Sequence, residues 1–218
     1  MKISKQTLEV LKNFATINTN ILVREGNNLS TISTGKNIFA KSEVKESFPK
    51  EFAIYDLNSL LSLLTLMEDT DVEFGDESLV VTKGNSRFEY FYADPNIIVS
   101  APDKSIDVDN FFQFDLTKED VDMILKAAAI TAGPMLSVVG DNGEVVVSVG
   151  DPSTPKSNSF RQVIGNTDKT FDAKLAMENF KVIPGSYSVT LSQKKFMFLE
   201  SSKGDLKYWL ALERSSDI

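Results

Sequence analysis

The sequence predicts an α+β protein of two similar domains, each made of antiparallel sheet and two helices. Three observations carry this. A short unit recurs: an apolar residue ending an extended run, a capping residue, then apolar residues at helical spacing, as in Ile3-Ser4, Tyr55-Asp56-Leu57, Phe114-Asp115-Leu116 and Phe171-Asp172-Ala173. The capping positions 4, 56, 115 and 172 are 52, 59 and 57 residues apart, and internal repetition outranks local signals of fold. Runs of alternating apolar and polar residues separate the helical patterns, as antiparallel meanders require. Finally, 218 residues with 42% apolar side chains suffice for two cores of ordinary size. The expected division is residues 1–94, a connector at 95–110, and residues 111–218.

In the first unit Ser4 caps a helix whose inner side carries Thr7, Val10, Leu11, Phe14 and Ala15 and whose outer side carries Lys5, Glu9, Lys12 and Thr16. Residues 21–44 read as three short strands with turns at Gly26-Asn27-Asn28 and Gly35-Lys36-Asn37, and residues 52–55 as a fourth. The second helix buries Leu57, Leu60, Leu61 and Leu64 and shows the uncharged Asn58, Ser62 and Thr65. Residues 72–92 form another meander, with Phe88, Tyr90 and Tyr92 on one strand face; core packing is the expectation there, over a base-stacking platform.

Pro95 and Pro102 interrupt any regular period in the connector, whose Ile97, Ile98 and Val99 are too apolar for a free linker. The third helix opens on Thr117 and Asp120 at capping-box spacing, with Val121, Ile124, Leu125 and Ala128 inward and Lys118, Asp122 and Lys126 outward. Three strands follow, broken by a hairpin turn at 140–143 and a Pro- and Ser-rich loop at 151–159. A fourth helix is expected over about residues 172–182, stopped by Pro184-Gly185, with Ala173, Ala176, Met177 and Phe180 inward and Lys174, Glu178 and Lys181 outward. A last meander completes the chain, about sixteen strands in all, and the short polar stretch after Glu213 is expected to tolerate deletion.

Composition removes most chemistry. Without cysteine there are no disulfides, thiolate metal sites or thiol nucleophiles, and without histidine the usual general base and metal ligand are missing. No Gly-rich phosphate loop of standard spacing occurs, and nothing indicates the converging carboxylates of a glycosidase, so neither catalytic nor metal- nor cofactor-binding residues are assigned. No run approaches the length of a membrane span, and the N-terminus lacks a signal-peptide core. A net charge of −8 opposes ordinary electrostatic binding of nucleic acid unless the cations are segregated.

Segregation is what the helices suggest. Lys5-Glu9-Lys12 and Lys174-Glu178-Lys181 share one spacing, and Lys118-Asp122-Lys126 differs by one residue. On a single helix this would be an ion-pair ladder on a solvated face. Repeated on equivalent helices, it suits sequence-independent contact with duplex DNA, and the Asn, Gln and Arg that read base edges are lacking.

The segments MKISKQT and LKNFATIN, AIYDLNSLL in the second unit, ADP at the head of the connector and IPGSY after the expected fourth helix resemble the sliding clamps of T4-type bacteriophages, the DNA polymerase processivity factors, along nearly the whole chain. The resemblance implies a DNA-clamp fold assembled as a ring of three identical subunits, with helices lining a hole through which duplex DNA passes. It implies a replicative DNA polymerase and an ATP-dependent clamp loader as partners, no enzymatic activity, no cofactor and no membrane, and the cytoplasm of an infected bacterial host as the setting. Carried over by position, Lys5, Lys12, Lys118, Lys126, Lys174 and Lys181 face DNA, and Ile97, Val99, Leu210 and Leu212 line a partner pocket. The alternative is a β-rich viral structural or assembly protein whose lysines are merely solvated.

Overall fold

The structure, a computed structural model, describes residues 1–67, 69–103, 106–154 and 156–218. The chain divides into two compact units, Met1–Lys104 and Ser105–Ile218. The expected connector 95–110 straddles that division, and its residues 104 and 105 lie outside the described residues, as does residue 155 of the loop at 151–159.

Unit one begins with α1 (Lys5–Ile17), whose first turn is closed by the Ser4 hydroxyl accepting from the Thr7 amide at 3.3 Å. Its buried residues are Thr7, Val10, Leu11, Phe14, Ala15 and Ile17, the inner stripe that the periodicity predicts. β1 (Ile21–Val23) pairs antiparallel with β4 (Phe52–Ile54), and β2 (Gly26–Ile32) pairs antiparallel with β3 (Ile38–Phe48). The turn expected at Gly26 is instead a bulge at the start of β2, where Gly26 takes a φ of +103° that a side chain would resist. β3 runs four residues further than the predicted strand and keeps its alternation, burying Ser42, Val44, Glu46 and Phe48.

α2 (Leu57–Leu66) is capped by the Asp56 carboxylate, which accepts from the Ser59 amide at 3.1 Å, and it buries Leu57, Leu60 and Leu61. β5 (Val72–Phe74), β6 (Ser78–Lys83) and β7 (Ser86–Phe91) form a three-stranded antiparallel sheet in that order. Of the aromatics expected in the core, Tyr92 stacks on Phe52 at 5.0 Å and the Tyr90 hydroxyl donates to the Asp56 carbonyl at 2.9 Å. Phe88 is exposed, contrary to expectation, because β7 is an outer strand whose residues are almost all open to solvent.

In unit two, β8 (Phe112–Leu116) leads into α3 (Lys118–Thr131), which opens with the complete capping box of Thr117 and Asp120. Burial would push the Asp120 carboxyl up, but hydrogen bonds from Thr117 and Gln162 hold it below its ordinary pKa. β9 (Met135–Asp141), β10 (Glu144–Gly150), β11 (Phe160–Asn166) and β12 (Phe171–Ala176) form one antiparallel sheet in the order β11-β10-β9-β12. β13 (Tyr187–Ser192), β14 (Phe196–Ser201) and β15 (Leu206–Ala211) lie beside β8 in the order β8-β13-β14-β15.

β12 occupies the place of the expected fourth helix, so three α-helices are present among the described residues and unit two holds one of them. The segment FDAKLAMENF satisfies both periods: Ala173, Ala176, Met177 and Phe180 at helical spacing, Phe171, Ala173 and Leu175 at alternation. Pairing decides between them. β12 hydrogen-bonds along β9 from Phe171–Gly140 to Ala176–Met135, buries Phe171, Ala173 and Leu175, and gives way to a 3-10 turn at Met177–Asn179. The Phe171 ring lies so close to Gly140 that no Cβ would fit there. The outer edge of β12 is itself covered, since Asp172 and Asp217 exchange backbone hydrogen bonds of 2.7 and 2.8 Å and the Glu213 amide donates to the Lys174 carbonyl at 2.8 Å. Residues 213–217 are therefore tied to β12 by a turn and an isolated bridge, and are not the loose polar tail that the sequence suggests.

Candidate nucleic-acid interface and partner ridge

The outer side of α1 exposes Lys5, Glu9, Lys12 and Thr16, as the helical spacing predicts. The i,i+4 pairs that this spacing permits are not formed: among the described residues no carboxylate lies within ion-pairing distance of Lys5, Lys12, Lys118 or Lys126. Lys12 borders a shallow open depression whose other walls are Asn58, Leu61, Ser62, Thr65 and Leu66 of α2. This surface is thus one cationic helix beside one neutral polar helix.

The position of α1 is set by Glu46, which sequence reasoning missed because the strand was taken to end at residue 44. Glu46 is only 8% exposed, and its carboxylate accepts hydrogen bonds from the Ser4 amide and the Thr7 hydroxyl. Burial works to raise its pKa, yet the bonds from Thr7 and Ser4 outweigh it and hold the group below the ordinary glutamate value. The carboxylate thereby satisfies the orphan donors at the positive end of the helix. The available signal was an acid at an inward position of a strand that otherwise alternates.

On α3, Lys118 and Lys126 are exposed and Asp122 is half-buried, while Val121, Ile124 and Ala127 face the core. Lys174 and Lys181 do not share that setting, because no helix carries them. Lys174 lies on β12, with its ammonium 2.9 Å from the Asp172 carboxylate, and Lys181 follows the 3-10 turn with its amide bonded to the Asn179 carbonyl. The Lys-acid-Lys face is therefore a property of two helices, not three.

The residues expected at a partner pocket separate into two kinds. Ile97, the last residue of the 3-10 turn Pro95–Ile97 that Asp94 caps, is 64% exposed, and Val99 just beyond it is 37% exposed. Leu210 is fully buried in β15 and Leu212 is 8% exposed, so both are core side chains of unit two. Among the described residues no group of three or more carboxylates is arranged to hold a metal ion, and no helix is long and apolar enough to cross a membrane.

A family profile described as DNA polymerase processivity factor matches residues 3–100. The chain is 29% identical to the sliding clamp of Vibrio phage KVP40, over 98% of this chain and 99% of that protein. It is 28% identical to the sliding clamp of Enterobacteria phage T4, over 99% and 98%. Among solved structures, the proliferating cellular nuclear antigen of Entamoeba histolytica is similar with a TM-score of 0.67 at 14% identity, covering 94% of each chain. The DNA polymerase III subunit beta of Pseudomonas aeruginosa has the same TM-score and identity over 95% of this chain, which spans 63% of that subunit's length. The fold is that of these clamps, and the sequence correspondence with the phage sliding clamps runs from end to end of the chain.

Proposed function

We propose that this protein is a non-enzymatic sliding clamp that encircles duplex DNA as a homotrimeric ring and tethers the replicative DNA polymerase for processive synthesis. The observation that carries the reading is the set Lys5, Lys12, Lys118 and Lys126, exposed and without an ion pair among the described residues, on two helices of a chain with net charge −8. Such cations reach phosphates at close quarters while the molecule as a whole repels the duplex, so retention depends on encirclement more than on affinity. A closed ring cannot thread internal DNA, which makes an ATP-driven loader a necessary partner.

Two strands support ring closure. β7 and β11 each have a sheet neighbour on one side only among the described residues, and they carry the exposed apolar side chains Phe88, Phe91 and Val163. A bare edge with apolar residues calls for a partner strand, and pairing β7 of one subunit with β11 of the next is head-to-tail, the arrangement that generates closed rings. Of the residues assigned to partner docking, Ile97 and Val99 offer the accessible apolar surface.

Retention after loading tests the reading. Protein loaded on nicked circular DNA should survive moderate salt and leave quickly once the circle is linearised, and sedimentation should give the mass of a trimer. Equal retention on circular and linear DNA would refute encirclement.

A further inference from the structure

Residues 98–103 are held differently from the rest of unit one. Among the described residues, no backbone–backbone hydrogen bond ties this stretch to a strand or helix. Two side chains hold it instead. Asn18, 5% exposed, donates from one amide nitrogen to the Val99 carbonyl and to the Ile32 carbonyl, both at 2.9 Å, while its oxygen accepts from the Asn20 amide at 2.9 Å. Arg24 donates to the Ala101 carbonyl at 2.9 Å, with its guanidinium also 3.9 Å from the Glu51 carboxylate. The anchored stretch turns Ile98 and Ala101 into the core, and its alternation leaves Ile97 and Val99 on the outer side.

We propose that Asn18 and Arg24 are positioning residues for polymerase docking: they strap the connector against unit one so that Ile97 and Val99 stand as a preformed apolar ridge. The inference rests on the reading that this ridge receives the polymerase. A segment of six residues without ladder hydrogen bonds samples many conformations unless its carbonyls are tied, and a partner that needs one of them binds more weakly in proportion to the fraction competent. Neither residue belongs to the lysine faces, so the strap acts on the partner and leaves encirclement of DNA alone. Asn18 also ends α1, with its amide bonded to the Phe14 carbonyl, so the ridge is referenced to the same helix that carries Lys5 and Lys12.

The test titrates the replicative polymerase of the same phage onto clamp already loaded on nicked circles, with retention on DNA measured in parallel. Arg24→Ala and Asn18→Asp should each raise the polymerase concentration for half-maximal synthesis by about fivefold to tenfold, with the maximal rate and DNA retention unchanged. Hydrogen exchange of the backbone amides within 98–103 should quicken in both, and Arg24→Lys, which keeps a cationic donor on a shorter side chain, should recover part of both measures. The proposal is overturned if exchange quickens and half-maximal synthesis does not move, or if stimulation and retention fall together. Ile97→Asp separates the two levels of the argument. If it is silent, docking on the ridge is wrong and the strap falls with it; if it weakens the polymerase while Arg24→Ala does not, the strap alone is wrong.

Discussion

Replacing Glu46 by Gln should loosen the N-terminus of α1 by a measurable and pH-dependent amount. The carboxylate accepts from the Ser4 amide and from the Thr7 hydroxyl, and Thr7 is completely buried. A glutamine keeps one acceptor oxygen but presents an NH2 where the second acceptor stood, so about one charge-assisted hydrogen bond is lost, roughly 1.5–3 kcal/mol. Thr7→Val removes the hydroxyl donor from the other side, and the two changes share one interaction. A double-mutant cycle by urea denaturation at fixed protein concentration should give a coupling energy of about 1 kcal/mol or more, well beyond the roughly 0.3–0.5 kcal/mol scatter of independent sites. Because the folded-state pKa of Glu46 is depressed, its contribution is fully present above the unfolded-state value and is lost as pH falls through the lower folded one. The wild-type and Gln stability curves should therefore converge on acidification through the carboxylate range. Additive mutants, or a gap that stays constant into acid, would refute the account of Glu46 as an ionised internal cap.

Other expectations follow from the same geometry. Truncation after Leu212 removes the backbone partners of Asp172 and Lys174 together with the buried Ser216, and should lower the stability of unit two by about 2–4 kcal/mol in denaturant titration. Lys12→Glu with Lys126→Glu should cut loading and flatten the dependence of log affinity on log salt by about 0.9 for each phosphate no longer neutralised, while circular dichroism stays unchanged. Lys174→Ala should cost stability through its Asp172 partner and leave the salt slope alone. Phe91→Asp, on an exposed outer position of β7, should shift the sedimenting species from the proposed trimer to monomer without unfolding it.

Much of this molecule is legible in its sequence because the relevant periods are uncontested. The stripe Val10, Leu11, Phe14 fits only a helix, Asp56 and the pair Thr117–Asp120 mark helix starts by chemistry that strands do not need, and EVVVSVG offers no helical face. The failure over residues 172–182 has a definite cause. That segment is too short to choose its own period, and the choice is made by β9, a strand remote in sequence that would otherwise present a bare edge. The same remoteness hid Glu46, whose partners are 39 and 42 residues away, and the strap residues Asn18 and Arg24, whose carbonyl acceptors are 81 and 77 residues away. Lys5, Lys12, Lys118 and Lys126 could be named from spacing alone, because a solvent-facing helical position depends only on the helix that bears it. The identical spacing of Lys174 and Lys181 carried no such guarantee once the helix was absent.

The two lysine pairs also bear on how freely a ring would travel. Lys5 and Lys12 are seven residues apart on α1 and Lys118 and Lys126 eight apart on α3, which at 1.5 Å per residue gives separations along the helix axes of about 10.5 and 12 Å. Duplex phosphates recur at a uniform interval, about 3.4 Å per strand along the axis. In the ring proposed above, pairs of unequal spacing facing one periodic lattice cannot both be in register at every step, so when one pair sits in its electrostatic wells the other sits partly out of them. The corrugation felt by such a ring is then shallower than the sum over its lysines. Equalising the spacings, by exchanging the exposed Lys118 and Glu119 so that the α3 lysines also stand seven residues apart, should deepen those wells and lower the diffusion coefficient along DNA without changing what holds the proposed ring there.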